Sequence, residues 1–121
     1  MLQQISRLTE AESIFRQAIA LRPDYMEANF NLGVTLQKLF RLDEAEIFFR
    51  RALELDPDFI EARRNLGVSL QGLGKLDEAV STLRDVIDLD PGLTRAILDL
   101  SLVQSYMVSP ESEMETLQKL I

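Results

Sequence analysis

The stretch NLGVTLQKLFRLDEAEIFFRRALELDP, residues 31–57, returns 34 residues further on as NLGVSLQGLGKLDEAVSTLRDVIDLDP, residues 65–91. Pro23, Pro57 and Pro91 keep the same spacing, and aligning on them stacks Leu32-Gly33, Leu66-Gly67 and Leu100-Ser101 in one column. Ala11, Ala45 and Ala79 fill a second column, and Leu21, Leu55 and Leu89 a third. Self-similarity at this period marks a solenoid of helix pairs, each of which buries its apolar face only against its neighbours. The fold class is therefore all-α, a solenoid of antiparallel helix pairs. An extended groove suits binding better than catalysis.

Working outward from that stretch, apolar residues recur at helical spacing on both sides. Leu8, Ala11, Ile14, Phe15, Ala18 and Leu21 make one stripe, ended at Arg22-Pro23 because the residue before proline is pushed out of the α region. Further helices are predicted over about Tyr25–Leu39, Ala45–Leu55, Phe59–Leu73, Leu76–Leu89 and Leu93–Met107. Ser109-Pro110-Glu111 reads as N-cap, first-turn proline and dipole-matched acid, opening a last helix with Met114, Leu117 and Ile121 on one face. About seven helices result. Gly33, Gly67 and Ser101, with Ala11, Ala45 and Ala79, stand where paired helix axes approach closely.

Composition narrows the work. At 121 residues the chain is one domain, and 46% hydrophobic residues give it enough apolar surface for a core. A formal net charge of -7 argues against nucleic acid and against an anionic membrane surface, since both need clustered Lys and Arg. The chain has neither Cys nor His, which removes disulfides, thiolate zinc sites and His-based acid–base catalysis. No apolar run reaches the roughly 18–20 residues that span a bilayer, and no signal peptide is visible. Cytoplasm is the expected location, with no cofactor and no metal.

Enzyme signals are weak. Asp43-Glu44 and Asp77-Glu78 are paired carboxylates, but they sit at helix starts, where capping accounts for them. Asp56-Pro57-Asp58 and Asp88-Leu89-Asp90 lack the spaced loop and turn glycine of a calcium hand. Gly72-Leu73-Gly74-Lys75-Leu76 lacks the hydroxyl residue, the earlier glycine and the strand of a phosphate loop.

The segments Asn31 to Pro57 and Asn65 to Pro91 resemble tetratricopeptide repeats: a small residue follows the first-helix Leu, Ala opens the second helix, and Pro closes the unit. The resemblance covers essentially the whole chain. It divides residues 1–121 into a partial repeat (1–25), two full repeats (26–59 and 60–93) and a divergent repeat with a terminal capping helix (94–121). Phe40 departs from the pattern where Gly is usual, whereas Gly74 keeps it; Glu113 stands where Ala is expected. The first repeat lacks most of its first helix, leaving Met1 to Ile5 as a stub. That exposes the apolar face of the Leu8–Leu21 helix, and two expectations follow: the chain is a piece of a longer array, or the face docks against another copy.

The resemblance implies a right-handed superhelix whose first helices line a concave, peptide-binding groove. Its candidates here are Glu27, Phe30, Asn31, Val34, Gln37 and Lys38; then Glu61, Arg64, Asn65, Val68 and Gln71; then Arg95, Leu98, Asp99, Leu102 and Tyr106. Asn31, Asn65 and Asp99 share a column, and an amide can both donate to and accept from a peptide backbone. It is similar to the asparagine ladder of O-GlcNAc transferase repeats; bonding between neighbouring helices is the alternative role. Of the family's carboxylate clamp, Asn65 and Arg95 match, while Phe30, Val34 and Asp99 replace the rest, and an acid facing a carboxylate repels it. The expected function is a non-catalytic interaction module for a protein or peptide partner. The alternatives are a self-assembling scaffold through the solenoid ends and a substrate-presenting segment of a larger transferase.

Overall fold

A computed structural model describes the backbone of residues 2–107 and the side chains of residues 3–105. They form six helices: α1 Leu2–Leu21, α2 Met26–Lys38, α3 Leu42–Leu55, α4 Ile60–Gly72, α5 Leu76–Leu89 and α6 Thr94–Met107. The helix predicted after Pro110 lies outside the described residues, as does Glu113. No cis peptide bond occurs among the described residues.

Each helix follows from its apolar stripe. On α3, Ala45, Phe48, Phe49 and Ala52 are buried on one face. On α2 the buried face is Ala28, Leu32, Gly33 and Leu36. Consecutive helices pack in sequence, and α4 also touches α2 on one side and α6 on the other. These three form one layer; α1, α3 and α5 form the other. The core between them joins Leu32, Leu36, Phe49, Leu66, Leu70, Leu83 and Val103. A Cβ on Gly33 would stand 2.7 Å from the Phe49 ring, and one on Gly67 2.8 Å from Leu83. Gly33 and Gly67 thus mark the seams where paired helices meet, whereas Ser101, third in their column, is exposed.

The repeated turns are closed by backbone. After α2, Phe40 N–H donates to Gln37 C=O (3.0 Å) and Arg41 N–H to Leu36 C=O (2.9 Å). After α4, Gly74 N–H donates to Gln71 C=O (3.0 Å) and Lys75 N–H to Leu70 C=O (2.9 Å). Both are Schellman motifs, which require a left-handed residue after the helix. Gly74 sits at φ 79° and Phe40 at φ 60°. Phe40 is therefore forced into the conformation that glycine adopts freely.

Three expectations change. Residues 2–5 are not the stub of a separate helix but the first turn of α1, because no breaker separates them from Leu8. Tyr25 and Phe59 precede their helices in extended conformation instead of lying inside them. Asp43-Glu44 and Asp77-Glu78 lie in first turns, where they suit the helix dipole, but the N-caps are Arg41 and Lys75, with no side-chain cap bond.

Candidate functional site

The candidate groove residues lie on α2, α4 and α6. Those with described side chains are all at least partly exposed. The opposite face of the same helices carries the buried Leu32, Leu36, Leu66, Leu70 and Val103. Helical geometry accounts for the split: Glu27, Phe30, Val34 and Lys38 recur at three- and four-residue steps and so share one stripe. The side chain of Tyr106 lies outside the described residues.

The stripe is not uniform. Phe30, Val34, Val68 and Gln71 are half-buried. The Phe30 ring packs edge-on against Phe59, with centroids 4.6 Å apart, and tilted against Phe49 at 5.9 Å, so this groove candidate is also a wedge of the core. Leu98 and Leu102, one turn apart on α6, are 63% and 49% exposed. Glu27, Asn31, Lys38, Glu61 and Arg95 are exposed and make no ion pair among the described residues.

The polar ladder is partly occupied from within. Arg64 Nη1 donates to Asp99 Oδ2 at 3.0 Å, with side chains 18% and 25% exposed. Its Nη2 donates to Asn65 Oδ1 at 3.2 Å. Gln37 Nε2 reaches the Asn65 carbonyl (3.4 Å) and Ser69 Oγ (3.2 Å). Asp99 thus neutralises the Arg64 charge within the chain. Of the column Asn31, Asn65 and Asp99, the side chain of Asn31 makes no hydrogen bond among the described residues, and that of Asn65 is half engaged.

One feature escaped the sequence reading. Because α1 begins at Leu2, its first turns overhang the end of α2 and enclose an open cleft of about 570 Å³. Gln4, Arg7, Leu8, Gln37, Lys38 and Phe40 line it. It adjoins the stripe of groove candidates at the Gln37–Lys38 end, and Arg7 and Lys38 make it locally basic in an acidic chain.

Away from the groove, two charge networks repeat at the period of the chain. Glu12 accepts from Arg16 (2.9 Å) and Arg41 (2.8 Å), and Arg16 also reaches Glu44 (3.3 Å). One repeat on, Glu46 accepts from Arg50 (3.0 Å) and Lys75 (2.9 Å), and Arg50 reaches Glu78 (2.8 Å). Burial pushes the Glu12 and Glu46 carboxyls up, but hydrogen bonds from their cations outweigh it and hold both below the ordinary glutamate range. The Glu44 carboxyl is held down chiefly by its hydrogen bond from Arg41. These groups are structural, since each carboxylate lies against cations of its own chain.

Among the described residues there is no group of His, Cys, Asp and Glu able to hold a metal ion, and no helix is long and apolar enough to cross a membrane. Comparison with known proteins gives two family profiles described as tetratricopeptide repeat, matching residues 2–58 and 41–101. No curated protein matches. Among solved structures, the second TPR domain of human RPAP3, in complex with an HSP70 peptide, is 26% identical, with TM-score 0.78 and 82% of each chain covered. YrrB, a TPR protein with an unusual peptide-binding site, is 31% identical over 94% of this chain and 59% of its own, with TM-score 0.81. The O-GlcNAc transferase of Thermobaculum terrenum is 25% identical over 91% of this chain and 22% of its own, with TM-score 0.78.

Proposed function

The chain belongs to the tetratricopeptide repeat family, and we propose that it is a non-catalytic interaction module whose α2–α4–α6 face holds a segment of a partner protein. The observation that carries this reading is the exposed pair Leu98 and Leu102, continuing the half-buried apolar strip of Val34 and Val68. Monomeric proteins seldom leave such a strip open without a use for it. The strip suits an extended or amphipathic segment with apolar side chains at alternate turns. Asn31 supplies an unoccupied amide for its backbone. Glu27 and Glu61, one repeat apart on the edge of the strip, favour a basic residue in the partner, and Arg95 takes the next place in their column. The likeness to the RPAP3 domain, in complex with an HSP70 peptide, and to YrrB, with its peptide-binding site, supports the reading.

The test is capture of partner proteins by the wild-type chain beside two variants, Leu98→Asp/Leu102→Asp and Asn31→Ala/Asn65→Ala. The two leucines are exposed, so the first variant keeps its helical circular dichroism. Proteins held by the wild type and lost from the leucine variant support the groove. Capture that survives both variants places binding elsewhere and overturns it. The likeness to a repeat-bearing transferase favours a second reading, a segment that presents substrate to a catalytic domain. In that reading the groove residues and their test are the same.

A further inference from the structure

Both ends of the described array are half of a helix pair. In α2, Asn29, Gly33 and Leu36 are buried, and in α4 Gly67 and Leu70 are. Their counterparts on α6, one or two periods on, are Ile97, Ser101 and Gln104. All three are exposed, Ile97 by 43%. At the other end, Ala45, Phe48, Phe49 and Ala52 of α3 are buried. Their counterparts on α1 are Ala11, Ile14, Phe15 and Ala18: three are only partly buried, and Ile14 is 62% exposed. Among the described residues, then, α6 bares the face that a first helix turns to its second, and α1 bares the face that a second helix turns to its first.

The two faces match in register. Moved on by three whole periods, α1 brings Ala11 into the column of Ala45 and Ala79, and Phe15 into that of Phe49 and Leu83. The chain's own residue in that Ala column is Glu113. Charge agrees as well. Arg16 reaches Glu44 and Arg50 reaches Glu78, each across one repeat boundary. The next cation in the column, Arg84, is exposed and makes no ion pair among the described residues. In the column of Glu44 and Glu78 its own chain carries a neutral residue, Ser112, whereas the same column on α1 holds Glu10, also exposed and unpaired among the described residues.

We propose that copies of this chain stack head to tail, α1 of one copy completing the helix pair begun by α6 of the next, with Arg84 meeting Glu10 of the second copy. The two faces differ, so each added copy leaves one of each unoccupied, and the assembly does not close at a dimer. Ser101 brings a Cβ where Gly33 and Gly67 have none, so α1 of the second copy sits slightly farther out than α3 does from α2. This contact is separate from the groove, because Leu98 and Leu102 lie on another face of α6.

Sedimentation equilibrium of the full chain over a wide concentration range provides the test. The wild-type mass rises with concentration past that of a dimer. Ile14→Glu blocks the α1 face and Ser101→Arg the α6 face; both positions are exposed, so each variant folds and is monomeric alone. Mixed together, they form a one-to-one dimer through the single pair of faces left intact. Arg84→Glu weakens association several-fold, and adding Glu10→Arg in the same chain restores it. A wild type that stays monomeric throughout overturns the proposal, because residues 108–121 or a different protein then cover these faces. So does a Ser101→Arg variant that still dimerises, which signals a symmetric α1–α1 contact, and so does a mixture that fails to pair.

Discussion

Phe40 is the residue at which this chain departs furthest from what its backbone asks. It sits at φ 60° in a turn whose counterpart is Gly74, and its ring is 87% exposed, so little packing offsets the strain. A left-handed conformation costs a non-glycine residue about 1–2 kcal/mol, while glycine adds about 0.5–1 kcal/mol of unfolded-state entropy to the balance. Phe40→Gly is expected to stabilise the fold by roughly 0.5–1 kcal/mol, a shift of a few degrees in a thermal melt. Gly74→Ala, in open space but at φ 79°, should move the melt the other way. A Phe40→Gly protein that melts lower would mean that the ring supports the fold through the α1–α2 cleft it lines.

At the scale of the helix, close approach decides the sequence. The Ala45 side chain is fully buried where α3 meets its neighbours, and the Phe49 ring lies on the bare backbone of Gly33. A larger side chain at either place must push two helices apart, since a close-packed core has no void to receive it. Ala45→Leu is expected to lose roughly 1–3 kcal/mol, read as an earlier urea midpoint with unchanged slope. An unchanged midpoint would remove Ala45 from the seam. Asn29 and Arg63, one period apart, serve a different joint: they donate to the carbonyls of Pro23 (3.2 Å) and Pro57 (2.7 Å) and tie each proline turn to the following helix. Ile97, third in that column, has no such donor.

Across the whole molecule, the charge networks link each repeat to the next and make stability depend on pH. Glu12, Glu44 and Glu46 are held below their ordinary values when folded. In acid, the unfolded chain therefore binds protons at these sites before the folded one does, and stability falls as pH falls. The contribution is fully present above the ordinary carboxylate pKa, about 4.3, and is lost as pH drops below it through the lowered folded values. Urea midpoints measured down to that range should decline, and Glu46→Gln should make the decline shallower. The change at neutral pH should be small, about 0.5–1 kcal/mol, because the partners Arg50 and Lys75 are largely solvated. A Glu46→Gln protein with an unaltered acid slope would remove that network from the account.

Period and composition alone determined the architecture. Columns such as Leu32/Leu66 and Ala45/Ala79 state which faces meet, because an α-helix places residues three and four apart on one side whatever surrounds it. The partly exposed stripe that holds the groove candidates was legible for the same reason, lying opposite those columns. Even the charge networks are written at the period, Glu12 with Glu46 and Arg16 with Arg50, although their pairing across repeats shows only once the helices are stacked. The tertiary structure decided the rest. Arg64 and Asp99 are 35 residues apart, and only the lateral packing of α4 on α6 brings them within 3.0 Å and pairs that arginine inside the chain. The cleft at Arg7 and Lys38 exists because α1 runs unbroken from Leu2 and overhangs α2. The faces of α1 and α6 that stand open among the described residues depend on which helices have a neighbour there. A repeating pattern specifies one helix against the next; which groups the array occupies from within, and which it leaves uncovered at its ends, follows only from the assembled stack.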